Sequence, residues 1–277
     1  MNNSTVNFTT SETSANSTTS YTEVIDNLNI CLFSISFIFG FPTHSYVLFL
    51  IVKGSSGVAS SFLNINLSVC EIGICFNCFV NAVSYCFLSL STLQAFLEGL
   101  TITGRPLFQC LICVERYLAV VHPVTFLKYK PLRYRVICCA AAWIITLGSC
   151  LFCMYTLNEE RGNFYIWFFS LQFLIVFSLQ LFCLVAVLRA LKQSGPGERK
   201  KEENHMKRRA FFIILITTAS MAIIYGPFTI VGFVTIVLDE HIDQIWLVAS
   251  TFYLLAGFVD PVLYLHMTGK LSCFCMS

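Results

Sequence analysis

Seven stretches of the chain are mostly apolar over about 20 residues or more, the length a helix needs to cross a bilayer. They run Ile30–Val52, Ser61–Leu88, Leu93–Val121, Val136–Tyr155, Phe164–Leu188, Ala210–Leu238 and Ile245–His266. The fourth, fifth and sixth contain no Asp, Glu, Lys, Arg or His, whereas charges interrupt the second and third. Short polar segments separate them. The pattern predicts an all-α fold, a seven-transmembrane helix bundle occupying residues 30–267. A disordered, glycosylated tail (1–29) precedes it and a short tail (268–277) follows it.

Charge orients the bundle. With the N-terminus outside and the C-terminus cytoplasmic, 14 of the 17 Lys and Arg residues fall on the inner side and only Arg161 on the outer side. Cytoplasmic loops are enriched in Lys and Arg in this way. The tail "MNNSTVNFTTSETSANSTTS" has no Lys, no Arg and no apolar core, so it does not read as a signal peptide. Its Asn2, Asn3, Asn7 and Asn16 each begin an N-x-[ST] sequon on the side where glycosylation occurs.

Composition agrees. The chain has 277 residues, is 56% hydrophobic and 12% charged, against about 25% charged in an ordinary soluble domain. So much apolar surface needs lipid. The net charge of +2 points to no nucleic-acid partner. Twelve of the 14 cysteines, from Cys31 through Cys183, sit in or beside apolar runs without metal-ligand spacing. They read as small buried hydrophobes, and no metal or cofactor is expected. Cys75 to Cys78 forms a C-x-x-C, but inside a span and away from any redox domain. No H-E-x-x-H, G-x-S-x-G or phosphate-binding glycine loop occurs, so no enzymatic activity is expected.

Ionisable side chains inside spans are costly and usually face the bundle interior. The chain has Glu71, Glu98, Arg105 and Asp260, with His44 beside them. At about 1.5 Å of rise per residue, Glu71 in the second span and Arg105 in the third lie at one depth, about 16 Å in. The two are expected to form a buried ion pair, with His44 and Asp260 in the same polar layer. Such a pair either fixes helix register or takes part in switching. Glu98 lies about 27 Å from Arg116, toward the outer surface. It is a candidate for a ligand ammonium or guanidinium; a hydrated carboxylate or a contact with Arg161 are the alternatives.

These residues form a pattern. "ERYLAVVHP" (Glu115–Pro123) ends the third span, "DPVLY" (Asp260–Tyr264) lies in the seventh, Trp143 in the fourth and Pro227 in the sixth. "GFPTHSYVL" and "NLSVCE" mark the first and second. In these motifs, over roughly Ile30 to Lys270, the chain resembles the rhodopsin-like G-protein-coupled receptors. The nearest resemblance is to the branch with chemokine and purinergic receptors, in an orphan, teleost-type group.

The resemblance implies a multi-pass plasma-membrane receptor with an extracellular ligand and a heterotrimeric G protein as partners, beside membrane lipid. It implies that Glu115 restrains Arg116 at rest, that Tyr117, Pro261 and Tyr264 belong to the switch, and that the sixth helix swings outward about Pro227. Tyr225 stands where the family has a tryptophan, and is a candidate for both ligand contact and switching. Arg105 stands where the family helps to hold a sodium ion, and Lys207 where it has an acidic partner for Arg116. Cys183 replaces a tyrosine. Ser91 replaces one cysteine of the family's outer disulfide, and the loop that would supply the other has none. Cys273 and Cys275 are palmitoylation candidates. The alternative functions are a signalling-weak or decoy receptor, favoured by these departures, and more remotely a transporter.

Overall fold

The computed structural model describes residues 9–53, 58–129, 132–158, 162–192, 198–238 and 244–254, and among these the chain is helical with no strand. Helix α1 (Thr9–Lys53) is followed by α2 (Val58–Ser84) and a short turn at Leu88–Leu90. The third span comes in pieces: α3 (Ser91–Gly99), a π turn (Leu100–Gly104) and α4 (Arg105–Val121). Then come α5 (Pro123–Tyr129), α6 (Leu132–Asn158), α7 (Gly162–Lys192), α8 (Glu198–Leu238) and α9 (Gln244–Leu254).

Five helices are individually long and apolar enough to cross a membrane: Glu23–Lys53, Phe62–Ser84, Leu132–Leu157, Phe164–Lys192 and Ala210–Leu238. The expected third span is present but broken by its π turn, and the seventh is described over Gln244–Leu254. Large apolar side chains point outward, Ile144 at 70% and Ile175 at 69% exposure. A helix apolar all round in this way belongs in lipid.

Proline explains the break. Pro106 has no N–H, so the carbonyl of Ile102, four residues earlier, loses its α-helical donor. The helix widens there into the π turn. At the other end of α4, the helix stops at Val121 ahead of His122–Pro123, because a residue before proline is pushed out of the helical region. His122 takes φ −127° and ψ 62°, and Pro123 opens α5.

α2 packs on α1, α3 on α6, and α4 against α7 and α8. Phe108, Cys70 and Cys113 are fully enclosed on the inner faces, as are Ile214, Met221 and Tyr225 on α8. Nine cysteines, among them Cys70, Cys110, Cys139 and Cys153, are free and buried as expected. Cys31, Cys86 and Cys138 correct that reading, being free but exposed. Cys86 lies in the turn beyond α2, and Cys31 and Cys138 stand at outward positions of apolar helices, where lipid and not protein would cover them. Helical backbone begins at Thr9, because a helix already nucleated by the span extends at little cost and residues 9–29 contain no proline or glycine.

Candidate functional site

The layer nearest the middle of the bundle is ionic. Glu71 on α2 and Arg105, the first residue of α4, are 2% and 1% exposed. Arg105 Nε donates to Glu71 Oε1 at 2.6 Å, and its Nη2 donates to Glu71 Oε2. This fork-on-carboxylate geometry is the strongest that two such groups form. His44 Nε2 on α1 stands 3.8 Å from the same Oε2. Three of the four residues expected in the polar layer are therefore together. Asp260, the fourth, lies outside the described residues. The arginine occupies the carboxylate that a metal cation would need.

Immediately before Arg105, the π turn is held from two sides. Gln172 on α7 donates its Nε2 to the Ile102 carbonyl at 3.1 Å, replacing the donor that Pro106 lacks. Its Oε1 accepts from the Thr103 hydroxyl at 3.1 Å, and Thr103 Oγ1 also meets Ser149 Oγ on α6 at 2.5 Å. The turn sets the rotational phase between Glu98 above it and Arg105 below it. Gly99 allows the approach, since a Cβ there would fall on the backbone of Ser149 and Cys150. Gly99→Ala is expected to lower the detergent melting temperature, by about 1–3 kcal/mol of overpacking. Gly148→Ala, where a Cβ meets nothing within 4 Å, is the control and should melt at or above wild type.

A cavity of about 410 Å³ opens beside α3. Glu98 lines it together with Asn77, Asn81 and Gln94, and Phe228, Trp246 and Tyr253 supply aromatic surface. Glu98 Oε2 accepts from Asn77 Nδ2 at 3.1 Å and Oε1 from the Tyr165 hydroxyl at 3.4 Å. Both donors are neutral, and among the described residues no cation pairs with Glu98. Arg161, the alternative partner, lies outside the described residues. Tyr225 is not among the residues that line this cavity, but it touches two that are, Tyr253 and Thr101. It is fully buried, with its ring edge-on to Tyr253 at 5.7 Å and its hydroxyl donating to the Thr101 carbonyl at 3.4 Å. Pro227 lies within α8, two residues on.

At the far end of α4, the expected restraint is rearranged. Glu115 Oε1 accepts from Arg135 Nη2 on α6 at 3.1 Å. Arg116 makes no ion pair among the described residues, and its Nε is buried without a hydrogen-bond partner there. Consecutive residues on a helix point about 100° apart and do not face each other, so Glu115 reaches α6 and not its neighbour. Tyr117 pairs its hydroxyl with His122 Nε2 at 3.1 Å and packs its ring on Phe182.

Asn2, Asn3 and Asn7, with Pro261, Tyr264, Cys273 and Cys275, lie outside the described residues, as does the side chain of Asn16. Gln172, Arg135, Asn77, Asn81, Gln94 and Tyr165 escaped the sequence reading. The signals were there: Pro106 inside a span, and two amide-bearing pairs at helical i,i+4 spacing, Asn77/Asn81 and Gln94/Glu98.

Residues 45–264 match the family model described as "7 transmembrane receptor (rhodopsin family)". That segment takes in the Glu71–Arg105 pair, the cavity lining apart from Phe33, and the Arg116 end. The chain therefore belongs to the rhodopsin family of seven-transmembrane receptors, as a multi-pass protein of the plasma membrane.

Proposed function

We propose that this receptor binds a cationic extracellular ligand at Glu98 and activates a heterotrimeric G protein at the Arg116 end. The observation that carries this is a cavity carboxylate with neutral donors alone. A carboxylate offers about four acceptor positions, and Asn77 and Tyr165 take one each. The remainder face a cavity whose aromatic side chains suit an apolar body and a cation–π contact. The hydroxyl of Tyr253, which lines the same cavity, has no hydrogen-bond partner among the described residues.

Orientation rests on charge. The Arg116 end carries nearly all of the Lys and Arg residues, which supports placing it inside and the Glu98 cavity outside. From the cavity, hydrogen bonds lead through Asn77 to the Thr101 hydroxyl at 3.1 Å, and from the Thr101 carbonyl to Tyr225 on α8. A ligand that draws on Glu98 thereby bears on α8 two residues before Pro227. There the missing backbone hydrogen bond makes an outward swing cheap.

The test is recruitment of mini-G proteins by the full chain in cells challenged with a primary-amine library. Amine-dependent recruitment is expected. Its potency should fall at least about tenfold in Glu98→Gln, which removes a hydrogen bond to a charged group. Equal potency in Glu98→Gln would overturn the cation site. Amine binding without recruitment of any subtype would favour a decoy receptor.

A further inference from the structure

The hydrogen bonds that hold Glu98 all run in one direction. Asn81 Nδ2 donates to the Asn77 backbone carbonyl at 2.9 Å and to the Asn77 side-chain oxygen at 3.1 Å. A backbone carbonyl can only accept, so the orientation of the Asn81 amide is settled and its Oδ1 faces outward along the ladder. Gln94 must then donate, and its Nε2 lies 2.8 Å from Asn81 Oδ1. Asn77 continues the sequence by donating to Glu98. Its second N–H goes to the Thr101 hydroxyl, whose own proton goes to the Leu97 carbonyl.

Two consequences follow. The amides from Gln94 through Asn81 to Asn77 direct their donors toward Glu98 and polarise one another, which favours a charged carboxylate without neutralising it. The acceptor left over at the other end is Gln94 Oε1, to which no described residue donates. Gln94 and Glu98 line the same cavity, both on α3 and four residues apart. The Cβ atoms at that spacing stand about 5–6 Å apart on one helix face, so two side chains that run in parallel hold their polar ends at about that distance.

We infer that the ligand is a protonated amine carrying a second hydrogen-bond donor, a hydroxyl or another ammonium, about 6 Å from the cationic nitrogen. The nitrogen sits at Glu98 and the second donor at Gln94 Oε1, with the intervening carbons against Phe228 and Trp246. A ligand ending in an ether or ester oxygen would set lone pairs against lone pairs and lose its water without return. A zwitterionic amino acid is excluded further, because its carboxylate would face Glu98 with no described cation in the cavity. The inference rests on the cation site at Glu98.

Its test uses the purified full chain and three probes of similar length: pentylamine, aminobutanol with its groups at opposite chain ends, and the O-methyl ether of that alcohol. Dissociation constants are read from thermal shifts at matched pH and salt. The alcohol should bind about tenfold tighter than the other two, the size of one net hydrogen bond. Gln94→Leu should erase that advantage, so that alcohol, ether and pentylamine bind that variant alike. Equal affinity of alcohol and ether in wild type, a comparison that needs no variant, would overturn the inference. So would an advantage that survives Gln94→Leu. In either of those cases, loss of pentylamine binding in Glu98→Gln would leave the cation site standing. Pentylamine binding unaffected by Glu98→Gln, or no binding of any probe, would overturn both.

Discussion

Replacing Arg105 with methionine is expected to unfold most of the receptor. Glu71 would be left without its guanidinium in a site 2% exposed, with His44 Nε2 at 3.8 Å. Removing one partner of a buried ion pair costs about 3–5 kcal/mol, a large part of the stability of any domain. Surface expression should collapse, and the remaining protein should melt far below wild type. The double variant Glu71→Met/Arg105→Met removes both charges at similar volume and should recover expression, since apolar replacement of a whole pair is often neutral. A charge swap, Glu71→Arg with Arg105→Glu, should recover less, because the new guanidinium would face His44. The double variant also separates the two roles of the pair. Unchanged basal signalling in a folded double variant makes it a register device, and altered basal signalling makes it part of the switch. Wild-type melting of Arg105→Met would remove the pair from the account of stability.

The second large effect concerns Arg116. The family resemblance alone makes Glu115 its restraint, so that losing Glu115 raises basal activity. The geometry reverses this expectation: Glu115 is engaged with Arg135, and Arg116 has no acidic partner among the described residues. Basal signalling should therefore already be high, and Glu115→Gln should leave it nearly unchanged. Lys207→Glu restores the acid that the family has at the foot of the sixth span. Basal signalling should then fall about fivefold, the effect of roughly 1 kcal/mol of new ion pair. A rise on Glu115→Gln, or no fall on Lys207→Glu, would return the restraint to Glu115.

Some of this was legible in the residues and some was not, for physical reasons. A charge in hydrocarbon is so costly that depth along the helix was enough to pair Glu71 with Arg105 across 34 positions. The spans themselves followed from apolar length. Amides carry no such signature. Asn77, Asn81 and Gln94 each accept and donate, so their order along the ladder depends on one backbone carbonyl that only the folded chain brings into place. The break in the third span was written in Pro106, but which helix would supply the missing donor depended on α7 packing against α4. The partner of Glu115 was misjudged because adjacency in sequence is not adjacency on a helix. Tyr225 occupies a position that the family associates with ligand and switch, and its ring contact with Tyr253 of the cavity lining is a feature of packing that no sequence pattern carries.

The most direct measurement is basal mini-G recruitment by the full chain in unstimulated cells, with wild type and Arg116→Ala matched for surface expression. Recruitment by wild type that disappears in Arg116→Ala is the expected result. Equal recruitment by both, or recruitment by neither even with amine ligands, would contradict a receptor that couples through Arg116.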